Sequence, residues 1–186
     1  KAASNGVLAA MLARQGFTAA PDGLEGRRGM LRVVSSAVHS EAMTRGLGER
    51  WELFGNGFKP YPCGLVVHPV IDAMLLLRNK HGVRADEVET VDLVVHPLVL
   101  DLANKTNPTT GLEGKFSVTY VAAAALLDGQ VMPAQFTDVA VNRREAGELA
   151  QRVRLHTGGS YTQVGVSATV SLKDGRKLAI DVPAST

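Results

Sequence analysis

The sequence predicts an α+β fold: a small, mostly antiparallel sheet covered on one face by helices, with further helices flanking it. Three observations carry this. Val166, Ala168, Val170 and Leu172 alternate with polar residues, and so do Leu178, Ile180 and Val182, with an Asp–Gly turn between the two runs. Val91, Leu93 and Val95 alternate in the same way. Residues 69–81 and 116–128 instead repeat their apolar positions at helical spacing. One-sided sheets and amphipathic helices must bury their apolar faces against each other, which gives a two-layer arrangement.

In chain order, Val7, Leu8, Met11 and Leu12 form a helical stripe over residues 4–15, and Gly16 suits the left-handed position that closes a helix. Residues 17–29 are rich in Gly, Pro and Asp and predict a loop. Short helical patterns follow near 30–36 and 40–46, and residues 51–54 predict a short extended piece. Pro60 and Pro62 restrict their neighbours to extended backbone. His68-Pro69 opens a helix, because proline near a helix start has no N–H to lose. Gly82 ends that helix, and residues 88–95 form a strand.

A short helix is expected over 98–104 and a loop over 107–111. Phe116, Tyr120, Ala123, Ala124 and Leu127 recur at helical spacing, so a helix is expected over 116–128, stopped by Gly129. Its Ala122–Ala125 side is thin enough for another backbone to approach. Val153 and Leu155 offer a further strand, and the apolar alternation toward the C-terminus starts at Val164. A three-residue loop, Lys173-Asp174-Gly175, pairs Val170 with Leu178 and Ala168 with Ile180, which keeps both apolar sets on one face. A two-residue loop would oppose Leu178 to Ser171 and lose that match.

Composition excludes several functions. Twenty Lys and Arg against 18 Asp and Glu give a net charge of +2, without a block of like charges, which argues against nucleic acid or acidic membrane as partner. No apolar run reaches the length of a membrane span. The single cysteine, Cys63, leaves no disulfide framework and fits a reducing, cytoplasmic setting. The first residue is Lys1, and residues 1–6 have neither the length nor the pattern of a signal peptide, so the sequence is expected to be part of a longer protein. The histidines lack metal-ligand spacing, and no metal is expected.

Two segments hold the candidate chemistry. Lys59 precedes a proline, so a stiff backbone aims its ammonium as a carboxylate site requires, although most lysines are simply solvated. His68 stands where a helix begins, and it either caps that helix or presents its imidazole to a ligand beside the free N–H groups. Cys63 fits a small buried hydrophobe better than a nucleophile. Lys115 falls at the start of the expected 116–128 helix, where the dipole disfavours a cation unless an anion is near. Tyr120 shares a face with Phe116 and Leu127, which suits either a core tyrosine or one whose hydroxyl faces a pocket.

Lys59-Pro-Tyr-Pro-Cys-Gly, running on to His68-Pro and Asp72, resembles the lysine–proline segment of the MmgE/PrpD family. Pro108-Thr-Thr-Gly-Leu-Glu-Gly-Lys115-Phe-Ser, running on to Tyr120 and Leu-Leu-Asp-Gly129, resembles that family's second hallmark, and residues 6–26 resemble one of its helices with the following loop. The resemblance implies an all-helical domain paired with an α+β lid, an active site in the cleft between them, and a homodimer. It divides the chain into a helical segment at 1–54, lid at 55–160 and a C-terminal hairpin region at 161–186.

It further implies cofactor-independent lyase chemistry on small di- or tricarboxylates, of the 2-methylcitrate dehydratase type, begun by removing a proton next to a carboxylate. Lys59 and Tyr120 would then be catalytic, with His68 and Lys115 binding substrate. Other catalytic groups of the family would lie upstream of this sequence, leaving the chain inactive by itself. Decarboxylase-like members are expected to carry histidine where this chain has Gly64, which counts against decarboxylation, and dehydratases proper are expected to carry a different segment around Lys59, so the chain resembles a broader branch of the family. Epimerisation or isomerisation of a related acid, and a non-catalytic structural or dimerisation role, are the alternatives; Lys59→Met separates either enzyme from the last.

Overall fold

The computed structural model describes residues 1–158 and 164–183. It divides into two compact units, residues 1–57 and 58–186.

The first unit is helical. Helix α1 (Ala2–Arg14) ends in a Gly16 at φ 83°, and the N–H groups of Gly16 and Phe17 return to the carbonyls of Ala13 and Leu12. That is the closure expected from glycine at this place. Helix α2 (Met30–Val34) follows, and the pattern near 40–46 resolves into a single 3-10 turn, Ser40–Met43. The extended piece expected at 51–54 is instead a 3-10 turn, Glu52–Gly55. Among the described residues this unit has no strand for it to pair with. Coiling lets Phe54 and Asn56 donate to Trp51 and Leu53, so those backbone groups stay satisfied.

The second unit is the α+β layer. Helix α3 (His68–His81) begins one residue earlier than its proline suggests, with Val67 as N-cap and Pro69 in the first turn, and Gly82 at φ 69° ends it. Strand β1 (Val88–Val95) buries Val91, Leu93 and Val95 on one face. Helix α4 (Pro97–Ala103) leads to a one-turn helix, α5 (Gly111–Gly114), which begins at the last residue of the expected 107–111 loop. Thr110 and Glu113 form a capping box that satisfies two backbone N–H groups at the start of that turn, a stronger local signal than the glycines around it.

Helix α6 (Val118–Asp128) starts two residues later than its periodicity suggests. The Ser117 hydroxyl accepts from the Tyr120 N–H and caps it, so Phe116 falls outside the helix. Helices α7 (Asp138–Val141) and α8 (Arg144–Ala150) precede strand β2 (Val153–Thr157). Strands β3 (Val166–Leu172) and β4 (Lys177–Val182) complete a sheet of order β2-β1-β3-β4. Val164 sits in a turn, so the alternation enters the ladder only at Val166.

The sheet is antiparallel except that β2 runs parallel to β1. The hairpin has the expected register, Val170 opposite Leu178 and Ala168 opposite Ile180, with Gly175 at φ 89°. Helices α3 and α6 pack on each other and on the buried sheet face. Ala122, Ala123, Ala124 and Ala125 are all fully covered, as the thin helix side requires.

Candidate functional site

The two motif segments meet. The Gly64 N–H donates to the Lys115 carbonyl at 3.1 Å, and the Lys105 N–H donates to the Phe116 carbonyl at 3.0 Å, holding the second segment from both sides. Cys63 lies buried at the junction. Its thiol is pushed up to about 12 by burial, against the opposing pull of Lys59 and Lys115. Lys59 and Lys115, 56 positions apart in sequence, are thus brought to one junction.

Lys59 is exposed, and its Nζ reaches the Cys63 carbonyl at 3.4 Å. Lys115 is half-buried, its Nζ 6.0 Å from the centre of the Phe136 ring. It is the C-cap of α5 rather than part of the first turn of α6. A cation at a helix C-terminus is electrostatically ordinary, so the dipole gives no reason to place an anion beside it.

His68 is 1% exposed, and its Nε2 has no hydrogen-bond partner. The helix N-cap is Val67, with no side-chain capping bond, so the imidazole is free of that duty. Its basicity is lowered, chiefly by burial and also by the Lys59 charge, with hydrogen bonding to the Cys63 and Tyr61 backbones and the charge of the Asp72 carboxylate opposing. The Tyr61 ring meets His68 edge-on at 5.2 Å and 85°, and its hydroxyl donates to Asp72 Oδ1 at 2.5 Å. Burial and that carboxylate push the phenol of Tyr61 up. Tyr61 and Asp72 were not singled out from the sequence. The spacing of His68 and Asp72 was the available signal, since four residues apart on a helix share a face.

Tyr120 stands apart from this cluster and is linked to it through Phe136, whose ring lies 6.3 Å from its own at 64°. Its hydroxyl donates to the Gln135 carbonyl. Burial raises the phenol, and the Arg143 charge works against that rise. Tyr120, Arg143, Asn142, Asn107 and Thr119 line a cavity of about 500 Å³ whose only charged lining residues, among those described, are Arg143 and Arg144.

With this geometry in view, a family model described as the MmgE/PrpD C-terminal domain matches residues 61–184, more than half of the chain. The chain belongs to the MmgE/PrpD family. The matched span takes in His68, Lys115 and Tyr120 and begins two residues after Lys59. A cis-aconitate decarboxylase of Aspergillus terreus is 26% identical over 181 residues, 88% of this chain and 37% of that protein. The mouse cis-aconitate decarboxylase is 32% identical over 129 residues, 63% of this chain and 26% of its own length, and the human one is 30% identical over 126 residues with the same two shares. This MmgE/PrpD chain thus spans between 26% and 37% of the length of these curated relatives. Among the described residues no helix is long and apolar enough to cross a membrane.

Proposed function

We propose that this chain forms the lysine-bearing side of the active site of a cofactor-independent lyase acting on small di- or tricarboxylates. The observation that carries this is the junction at Cys63, where the Lys59 ammonium reaches the Cys63 carbonyl and the Lys115 carbonyl accepts from Gly64, beside the buried His68 whose Nε2 has no partner. Two ammonium groups on a braced backbone suit a substrate with more than one carboxylate. They stabilise the negative charge that spreads onto a carboxylate as the neighbouring carbon gives up its proton. His68 keeps its Nε2 for the substrate or a water on it, and Tyr120 holds the substrate or relays a proton.

The relatives' names favour decarboxylation of a tricarboxylate of the cis-aconitate kind. Dehydration is the second reading, favoured by Gly64, which brings no imidazole to the junction. In either case the remaining groups of the site come from sequence that the relatives have and this chain does not cover, so the 186-residue chain alone is expected to be inactive.

The test is proton NMR in D2O of the longer protein with cis-aconitate, citrate and 2-methylcitrate, with this chain alone alongside. Deuterium entering next to a carboxylate supports the reading, and carbon dioxide or water loss selects between its two forms. No exchange on any acid overturns it. Exchange by the chain alone overturns the need for further sequence. Lys59→Met should lower turnover by about 100-fold or more, the scale for a group that stabilises developing charge.

A further inference from the structure

Tyr61 stands between Pro60 and Pro62. The first has a fixed φ and the second restricts the backbone of the residue before it, so the Tyr61 side chain leaves a stiff segment. It lies across the first turn of α3. Its ring meets the His68 ring at 5.2 Å and 85°, and its hydroxyl donates to Asp72 Oδ1 at 2.5 Å. His68 and Asp72 are four residues apart in that helix, so one phenol bridges two neighbours on the same helix face.

The two contacts do different things. A phenol–carboxylate bond is charge-assisted and short, the strong kind, and it fixes the far end of the Tyr61 ring. Burial and the carboxylate push the phenol up, so it keeps the proton it donates through the neutral range. The edge-to-face contact prefers an angle as well as a distance, and it bears on the imidazole. His68 is 1% exposed, and its Nε2 has no hydrogen-bond partner. No bond at Nε2 turns the imidazole to its place, so packing must do so. Among the described residues Tyr61 is the aromatic ring that packs against it.

We infer that Tyr61, anchored by Asp72, is the positioning residue for the His68 imidazole. The functional consequence rests on the proposed place of His68 at the substrate, while the geometric one does not. Phenylalanine at 61 would keep the ring and lose its fastening to α3. Asparagine at 72 would still offer the phenol an oxygen. The bond is therefore testable from both ends.

The experiment has two arms. In the 186-residue chain the ring protons of His68, identified by their loss in His68→Gln, are followed by NMR. Tyr61→Phe and Asp72→Ala should each shift or broaden them, and the double variant should do no more than either alone, because both changes cut one bond. Asp72→Asn should return them close to their original positions. Unchanged resonances in Tyr61→Phe, or additive shifts in the double variant, overturn the inference. In the longer protein Tyr61→Phe should lower kcat about 10-fold, the cost of a misplaced catalytic group, with KM within about twofold. Asp72→Ala should match it and Asp72→Asn should keep most of the turnover. An unchanged kcat in Tyr61→Phe, where His68→Gln lowers it, overturns the inference too. If His68→Gln leaves turnover intact, the proposed role of His68 fails instead, and the ring protons alone decide the place of Tyr61.

Discussion

The backbone of Gly64 is hydrogen-bonded to the backbone of Lys115 at 3.1 Å, so the site's two lysines ride on segments that cannot move independently. Gly64 adopts φ −60° and ψ 133°, open to any residue. A Cβ built there would stand 3.6 Å from the Lys115 carbonyl oxygen and 3.8 Å from the Phe116 ring, both ordinary contacts. The position therefore has room for a side chain aimed along the junction.

Gly64→Ala should leave stability within about 1 kcal/mol of the original, since the backbone is compatible and no neighbour must move. Urea unfolding checks it, and a loss above about 2 kcal/mol would show that the junction needs glycine. Under the proposed lyase reading, Gly64→His in the longer protein should raise carbon dioxide release relative to water loss. An unchanged ratio would remove this position from the choice between the two reactions.

Gly111 is the opposite case. A Cβ there would lie 1.8 Å from the Phe136 carbonyl oxygen, and the Gly111 N–H already donates to Asp138 at 2.7 Å. Two backbones are in contact and neither can yield cheaply. Gly111→Ala should cost about 3 kcal/mol or more, at the upper end for overpacking, while Gly64→Ala serves as the matched control. Equal stability of the two variants in urea unfolding would contradict the close approach.

What the sequence made legible was what is local. The hairpin register followed from the period of two and the Gly175 turn, both contained within 20 residues. The stops at Gly16, Gly82 and Gly129 followed from one residue each. The parallel pairing of β2 with β1, Val153 opposite Val91, joins segments more than 60 positions apart and leaves no local trace. The start of α6 was misread because periodicity ran through Phe116, whereas the Ser117 hydroxyl decides where the first N–H groups find a partner. At the site, Lys59, His68 and Lys115 were legible as motif members, and the structure gathers them at Cys63. The Tyr61–Asp72 bond and the Arg143–Asp128 pair were not legible, because each needs the fold to bring its partners together.

His68 predicts an acid weakness. Burial holds its imidazole below the ordinary value of 6.5, so the folded chain resists a proton that the unfolded chain accepts. The unfolded state then binds more protons as pH falls through that value, and stability present at neutral pH is lost on the acid side. Urea midpoints should drop between pH 7 and pH 5, and His68→Gln should flatten the slope over that range. An unchanged slope in His68→Gln would assign the effect to other groups.

Cys63 predicts the mirror image in alkali. Its thiol is raised from 9.0 to about 12, chiefly by burial, which outweighs the pull of the two lysines. Between those values the unfolded chain has given up the proton while the folded chain keeps it, so stability must fall as pH rises, by up to about 1.4 kcal/mol per pH unit. The same protonated state makes the thiol inert, because the thiolate is the nucleophile. Iodoacetamide at pH 8 should modify unfolded chain readily and folded chain slowly. Lys59→Met removes one of the two cations opposing the rise and should slow the folded reaction further. If Lys59→Met instead left the folded rate unchanged while Lys115→Met slowed it, the two ammonium groups would not share the Cys63 junction, and the convergence that supports the carboxylate site would be lost.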